Sequence, residues 1–352
     1  MMRPTYQATN RIFAEPTTGG GTMNRSERRT RKKKKKIWVI LLLLFLLIGG
    51  AAYFLIDQFK AGQSLAGEKP DKGEEDIFNA PEPQYGEINI LLLGSDARPN
   101  DDEGRSDSLM IGHYNQDTKE LKTVSVMRDI YVDIPGHGKH KMNAAYSLGG
   151  PELVRQTIKE NLGIDIHYYA EVNFDGFPKM VDVIAPDGIE VDIPYKMSHG
   201  INMTLEPGVQ RLNGNELLGY VRFRHDSKSD FGRVDRQQEA LAKLKTEASS
   251  LHSILSLPKL LGMADSYVHT NLDKKTMISI GKGLLSNKES GIESMRLPID
   301  GSFDEKQRIP GVGQVLTIDF EENSKALKDF LSSDSDNSTS TTKNTVVDTE
   351  SE

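Results

Sequence analysis

The sequence predicts an α/β fold: an α/β/α sandwich around a central mixed sheet, preceded by one N-terminal transmembrane helix. Three observations lead there. Apolar runs of strand length, such as INILLLG at 88–94, alternate with helical patterns such as PELVRQTIKENLG at 151–163, and that alternation is the signature of a layered sheet. Residues 37–56 are twenty uncharged positions, enough to cross roughly 30 Å of hydrocarbon. Polar segments of low complexity bracket the part that can build a core. The chain has 352 residues and no cysteine, which leaves ample material for a large core and excludes disulfides, thiolate metal sites and a cysteine nucleophile.

Residues 1–36 carry eleven Lys and Arg against two Glu, net +9, so with −7 overall the remainder carries −16. A basic flank followed by an apolar span orients the flank inside and the rest outside. Trp38 and Tyr53 stand near the two ends of the span, where aromatic belts form. The expected organisation is a disordered basic cytoplasmic tail (1–36), a membrane anchor (37–56), an extracellular linker rich in Gly, Pro, Glu and Lys (57–86), one folded domain (87–331) and a disordered acidic tail (332–352). A cleaved signal peptide is the rival, but no clean small-x-small site follows the long apolar run. The lysine run could also be a nucleic-acid arm; abutting a span it reads as a topology determinant, and no nucleic-acid partner is expected.

Within the domain, strands are expected at 88–94, 108–114 and 121–126, the last two joined by the turn NQDTKE. Pro at the first position and a closing Gly mark a helix over 151–163. A strand at 168–174, a helix over FPKMVDVI, the turn PDG and a strand IEVDI follow. Asn213 with Glu216 three residues on is a capping-box pattern ahead of LLGYV. Helices are expected from Arg233 onward and over 253–269, 274–285 and 323–331, with strands at 293–297 and 315–320.

The stretch GYVRFRHDSKSDFGRVDRQQ packs Arg222, Arg224, Arg233 and Arg236 into fifteen positions. On extended backbone Arg222 and Arg224 would leave one face. Arg233, Arg236 and Gln237 share one face of a helix start, where free N–H groups favour an anion. A solvated charged face is the plain alternative. The loop GSDARPNDDEGRSDS leaves the carboxyl end of the first buried strand, where ligands bind in open α/β sheets. Asp96 and Asp107 sit at its two ends, and paired carboxylates with water and phosphate oxygens suit Mg²⁺ or Mn²⁺; ordinary loop aspartates are the other reading. Arg128 and Asp129 stand at the tip of the third strand, with Lys141 and Asn143 in KMNAAYSLGG beyond. His137 and His140 read as exposed loop histidines rather than metal ligands. Taken together, Arg98, Arg105, Arg128, Arg222, Arg224, Arg233 and Arg236 are candidates to crowd one site, and bidentate guanidiniums match phosphate oxygens. A diphosphate with Mg²⁺ would satisfy them.

The pieces LLLGSDAR, RSDSLM, VMRD, KMNAAYSLGG, LNGNELLGYVRFR and DFGRVDRQQ, in this order, resemble the LytR-CpsA-Psr family, and within it the transferases of teichoic acid. The resemblance implies an α/β/α sandwich with an apolar pocket for a polyisoprenyl tail. It implies transfer of a phosphate-linked anionic glycopolymer from a polyisoprenyl pyrophosphate carrier to a peptidoglycan hydroxyl, releasing polyisoprenyl phosphate. Carried over by residue, Asp96 and Asp107 would hold Mg²⁺. Arg98, Arg128, Arg222, Arg224, Arg233 and Arg236 would bind the pyrophosphate. Apart from the resemblance, the logic of phosphoryl transfer asks for a carboxylate to take the acceptor's proton, with Asp129 the first candidate and Asp230 the second. VMRD departs from the family pattern, which commonly has Pro before the Arg. A lipid-pyrophosphate phosphatase and a non-enzymatic membrane-bound regulator are the competing readings.

Overall fold

The computed structural model describes residues 25–66, 77–83, 86–95, 106–287 and 291–332, with side chains described from Phe45 onward except at 106, 107 and 251. In chain order the elements are α1 (Arg25–Ala66), β1 (Glu87–Ser95), β2 (Ser106–Asn115), β3 (Leu121–Val126), β4 (Tyr131–Ile134), β5 (Gly138–Lys141) and α2 (Ala144–Leu162). There follow β6 (Tyr168–Asn173), α3 (Gly176–Ile184), β7 (Ile189–Ile193), β8 (Gly208–Leu212), α4 (Gly214–Arg222), α5 (Ser229–Ala248) and α6 (Leu251–Tyr267). The last are β9 (Val268–Thr270), α7 (Lys274–Ser286), β10 (Glu293–Leu297), β11 (Phe303–Ile309), β12 (Gly313–Ile318) and α8 (Phe320–Ser332).

The chain divides into two compact units, Met1–Leu55 and Ile56–Glu352. In the first, the backbone is helical from Arg25, inside the segment expected as an irregular tail. The apolar side chains described there, Phe45 to Ile48 and Tyr53 to Leu55, are exposed. Among the described residues no helix is long and apolar enough to cross a membrane; the side chains of 37–44, the first part of the expected span, lie outside them.

The second unit is built on a six-stranded mixed sheet of order β10-β3-β2-β1-β6-β9. β1 pairs antiparallel with β2 and parallel with β6, and β3 pairs antiparallel with β2 and parallel with β10. β1 and β3 therefore point the same way, and their carboxyl tips share one end of the sheet. Alternation sorts the two faces. Leu91, Leu93, Leu109, Ile111, Val124 and Val126 point to one, where α2 and α8 cover them with Leu153, Val154, Ile158 and Leu327. Ile88, Ile90 and Tyr114 point to the other and meet Ile280 and Leu284 of α7. A second core joins α3, β7, β8, α4 and α5 through Val181, Val191, Leu212, Leu217 and Ala240.

Several expectations are corrected. α1 runs ten residues into the expected linker, because Gly62 lies against the carbonyl of Lys259 and Gly262 against that of Phe59. A Cβ at either would fall 2.0 or 2.2 Å from those oxygens, so only glycine lets α1 and α6 touch backbone to backbone. GHGKH is not a loop but the turn and second strand of the β4–β5 hairpin, with the His140 ring accepting from the Lys141 N–H at 2.9 Å. β8, β9 and β11 are short or polar strands that carry no period-two signal. The 151–163 helix gains a preceding turn from Ala144, with Gly149 and Gly150 outside helical geometry between the two segments.

Candidate active site

The expected capping box forms: Asn213 accepts from the N–H groups of Asn215 and Glu216, and the Glu216 carboxylate accepts from the Asn213 N–H. α4, which it starts, runs through Arg222, and extended backbone begins only at Phe223 (φ −62°, ψ 138°). Arg222 and Arg224 thus do not lie on one extended strand. α5 in turn begins at Ser229, so Arg233 is its fifth residue and does not flank free N–H groups; Asp230 occupies the first turn instead and complements the macrodipole.

What these corrections leave is a cavity of about 230 Å³ between the sheet and helices α3, α4 and α5. Its walls are apolar, among them Leu92, Met110, Val172, Phe177, Leu218, Val221, Ala240 and Leu244. Arg222, Arg224, Arg233, Gln237 and Ser108 line it as well. The exposed Arg222 guanidinium lies over the Phe174 ring, 4.5 Å from its centre. Gln237 accepts from the Ser108 hydroxyl at 3.2 Å and donates to the Val221 carbonyl at 3.4 Å. Neither Phe174 nor Ser108 was marked by the sequence, since an aromatic in a strand end and a serine in a strand read as packing.

On the other side of Arg224 opens a polar groove of about 850 Å³. Cations and carboxylates alternate along it. Lys141 Nζ lies 2.7 Å from Asp129 Oδ1, and Arg128 Nε lies 3.4 Å from Asp129 and 3.6 Å from Asp230. Arg233, only 3% exposed, donates from Nη2 to Asp230 at 2.9 Å. The segment that follows β3 and the first turn of α5 therefore converge. Asn143 supports this network from behind, its N–H donating to the Arg128 carbonyl at 3.1 Å.

Arg236 is placed differently. It is 6% exposed and lines neither the cavity nor the groove. Its Nη1 donates to Asp226 at 2.6 Å and its Nη2 to the Phe223 carbonyl, while Tyr195 donates to Asp226 at 2.6 Å. Burial alone would raise the Asp226 carboxyl, but the hydrogen bonds from Tyr195 and Arg236 hold it below the usual carboxylate range. The physical reason that Arg236 does not join Arg233 at the cavity is that this carboxylate already binds it. Asp226 stands ten residues away in a charge-rich turn, and no local spacing marks it as the partner.

Asp96, Arg98 and Arg105 lie outside the described residues, as does the side chain of Asp107. The backbone register still bears on the pair. Gly94 pairs with Ser108 and Ser95 with Ser106, so Asp107 is the extra residue of a β-bulge beside the residue that precedes Asp96. Bulges at sheet ends re-aim side chains near active sites. Paired carboxylates are in general the hard oxygen donors that Mg²⁺ takes. Among the described residues, no group of three or more His, Asp or Glu is arranged to hold a metal.

The comparisons with known proteins come to the same architecture. Regulatory protein MsrR of Staphylococcus aureus (strain COL) is 41% identical over 281 residues, covering 80% of this chain and 85% of that protein. Polyisoprenyl-teichoic acid–peptidoglycan teichoic acid transferase TagU of Bacillus cereus (strain ATCC 14579) is 34% identical over 240 residues, 67% of this chain and 76% of that protein. A solved structure of YwtF (TagT) with bound octaprenyl pyrophosphate lipid superposes with a TM-score of 0.52 at 25% identity, covering 75% of this chain and 99% of that one. The family profile runs over residues 53–328, from the end of the apolar stretch to the last helix. By that span, and by an arginine-lined cavity built from its motifs, the chain belongs to the LytR_cpsA_psr family.

Proposed function

We propose that this protein transfers a phosphate-linked anionic glycopolymer of the teichoic acid type from a polyisoprenyl pyrophosphate carrier to a hydroxyl of peptidoglycan, releasing polyisoprenyl phosphate. One observation carries the reading: a single cavity joins apolar walls to Arg222, Arg224, Arg233 and Gln237. Such a site suits a molecule with a hydrocarbon tail and an anionic head, and little else. The octaprenyl pyrophosphate bound by the YwtF (TagT) neighbour is of that chemistry.

In this reading the tail enters the cavity and the guanidiniums fork onto the diphosphate oxygens. The acceptor oxygen attacks the phosphorus that bears the glycopolymer, the bridging P–O bond breaks, and polyisoprenyl phosphate leaves with the bond's electrons. Asp129, the more exposed of the two carboxylates beside Arg128, takes the acceptor's proton; Asp230 stays tied to Arg233. Mg²⁺ held by Asp96 and Asp107 would neutralise charge on the diphosphate. Arg128 and Lys141 flank Asp129 and stabilise the transferring phosphoryl group by charge, which is where phosphoryl transfer gains most. Residues 37–56 would anchor the chain in the cell membrane, N-terminus cytoplasmic and domain outside.

The test is to incubate the full-length chain in detergent with a lipid-pyrophosphate-linked polymer, Mg²⁺ and isolated peptidoglycan. The expected products are polymer-bearing peptidoglycan and polyisoprenyl phosphate, both reduced in Arg233→Ala and Asp107→Ala. Release of polyisoprenyl phosphate at the same rate without acceptor would make the protein a phosphatase. Undiminished transfer by both variants would sink the reading. The name of the staphylococcal relative favours regulation; a regulator would bind the lipid and release nothing.

A further inference from the structure

Transfer to a second substrate needs a second subsite that meets the first at the reacting phosphorus. Arg224 is the residue that lines both the apolar cavity and the polar groove, so a headgroup bound by it is presented to the groove. The far wall of that groove is the β11–β12 hairpin, through Glu305 and Gln314. This hairpin is fastened to the carboxylates and not merely near them. The Leu316 N–H donates to the Asp129 carbonyl at 2.8 Å, Ile130 forms a parallel bridge with Leu316, and Phe303 stacks on Phe231 beside Asp230 with ring centres 5.2 Å apart.

The lining also says what fits. Four cations, Arg128, Lys141, Arg224 and Lys228, face three carboxylates, Asp129, Asp230 and Glu305. Two of those cations are already paired with Asp129. A polyanion would meet carboxylates along its whole length; a neutral chain rich in hydroxyls meets donors and acceptors in comparable number. Glu305 and Gln314 are both exposed, and the Gln314 amide donates to the Glu305 carbonyl at 3.0 Å, which holds it at the groove.

We infer that this groove is the acceptor subsite, that it takes a neutral, hydroxyl-rich glycan, and that Glu305 and Gln314 are its specificity-determining contacts. The assignment rests on the transferase reading. It adds where the acceptor lies and which hairpin selects it.

The experiment compares the full-length chain with its Glu305→Ala/Gln314→Ala variant in detergent. Initial transfer rates are measured against the concentration of soluble peptidoglycan fragments, and octaprenyl pyrophosphate affinity is measured without acceptor. The expected result is an acceptor KM raised about tenfold, the loss of two ordinary hydrogen bonds, with lipid Kd unchanged. Unchanged lipid affinity also reports that the variant is folded. An unaltered acceptor KM in a variant that transfers normally would overturn the groove assignment and leave the transferase reading standing. A parallel loss of lipid affinity would overturn the assignment too, because the groove would then not be a separate subsite. A wild-type chain that binds the lipid yet transfers nothing to any fragment would bring down the transferase reading itself.

Discussion

The Arg236 guanidinium donates to the main-chain carbonyl of Phe223, the residue that separates Arg222 from Arg224. Its charged centre also lies 5.4 Å from the Phe223 ring centre and 6.0 Å from that of Tyr220. Arg236 therefore fixes the backbone on which the two cavity arginines stand, and Asp226 and Tyr195 fix Arg236. It is a positioning residue.

Arg236→Ala leaves the Asp226 carboxylate, 5% exposed, without its cation. Breaking one side of a buried pair costs about 3–5 kcal/mol, so the urea midpoint should fall steeply. Arg236→Lys keeps the charge but not the fork, and should recover only part of the midpoint while lipid affinity stays weak. A variant that melts like wild type yet loses lipid would instead mean direct contact with the headgroup.

Arg224→Ala should do the reverse. Arg224 is half-buried and lines both the cavity and the groove. Losing a charge-assisted hydrogen bond of roughly 1.5–3 kcal/mol corresponds to about ten- to a hundredfold weaker binding of polyprenyl pyrophosphate. The urea midpoint should fall less than in Arg236→Ala, because Arg224 is half-buried where Arg236 is 6% exposed. Calorimetry on the folded variant decides, and full affinity would remove Arg224 from the headgroup site.

The contrast between these two arginines marks how far the sequence could be read. The strands 88–94 and 121–126 and the capping box at Asn213 were legible because burial and capping are local patterns. Arg128, Arg224 and Arg233 lie near one another, but Arg233 comes from the second turn of α5 and not from the helix start that its spacing suggested. The roles within the cluster were not legible. Arg233 and Arg236 lie three apart on one helix face, yet one reaches the cavity and the other is held by Asp226. Only tertiary packing of Tyr195 and Phe223 around that carboxylate separates them. The hairpin carrying Glu305 and Gln314 was half-missed for a similar reason. Between its terminal Phe303 and Ile309, FDEKQRI is polar and exposed, so it offers no alternation to read.

The cavity itself yields a prediction. Ala240 is 2% exposed on α5 and lines the apolar wall. Ala240→Phe would fill part of the 230 Å³ from its apolar wall. Overpacking costs about 1–3 kcal/mol, leaving a folded protein. Octaprenyl pyrophosphate affinity should drop while affinity for inorganic pyrophosphate is kept. Equal loss of both would show that the tail does not use this cavity.

Far from the site, His113 makes stability depend on pH. It is 3% exposed, and its Nδ1 lies 2.8 Å from the Asn89 side-chain oxygen. Burial, then the Lys122 ammonium, then His167 push its imidazole down to about 4. Because the folded pKa lies below the unfolded value near 6.5, the unfolded chain binds more protons between those limits, and stability rises with pH there. The contribution is fully present above pH 6.5 and is lost as pH falls through about 4. At 1.36 kcal/mol per unit it amounts to about 3 kcal/mol. His167, also held low by burial, adds to the same slope. Urea midpoints at pH 7, 5.5 and 4.5 should fall in that order for the wild type, and less steeply for His113→Gln, whose amide can still donate to Asn89. A variant with the wild-type slope would place the titration elsewhere.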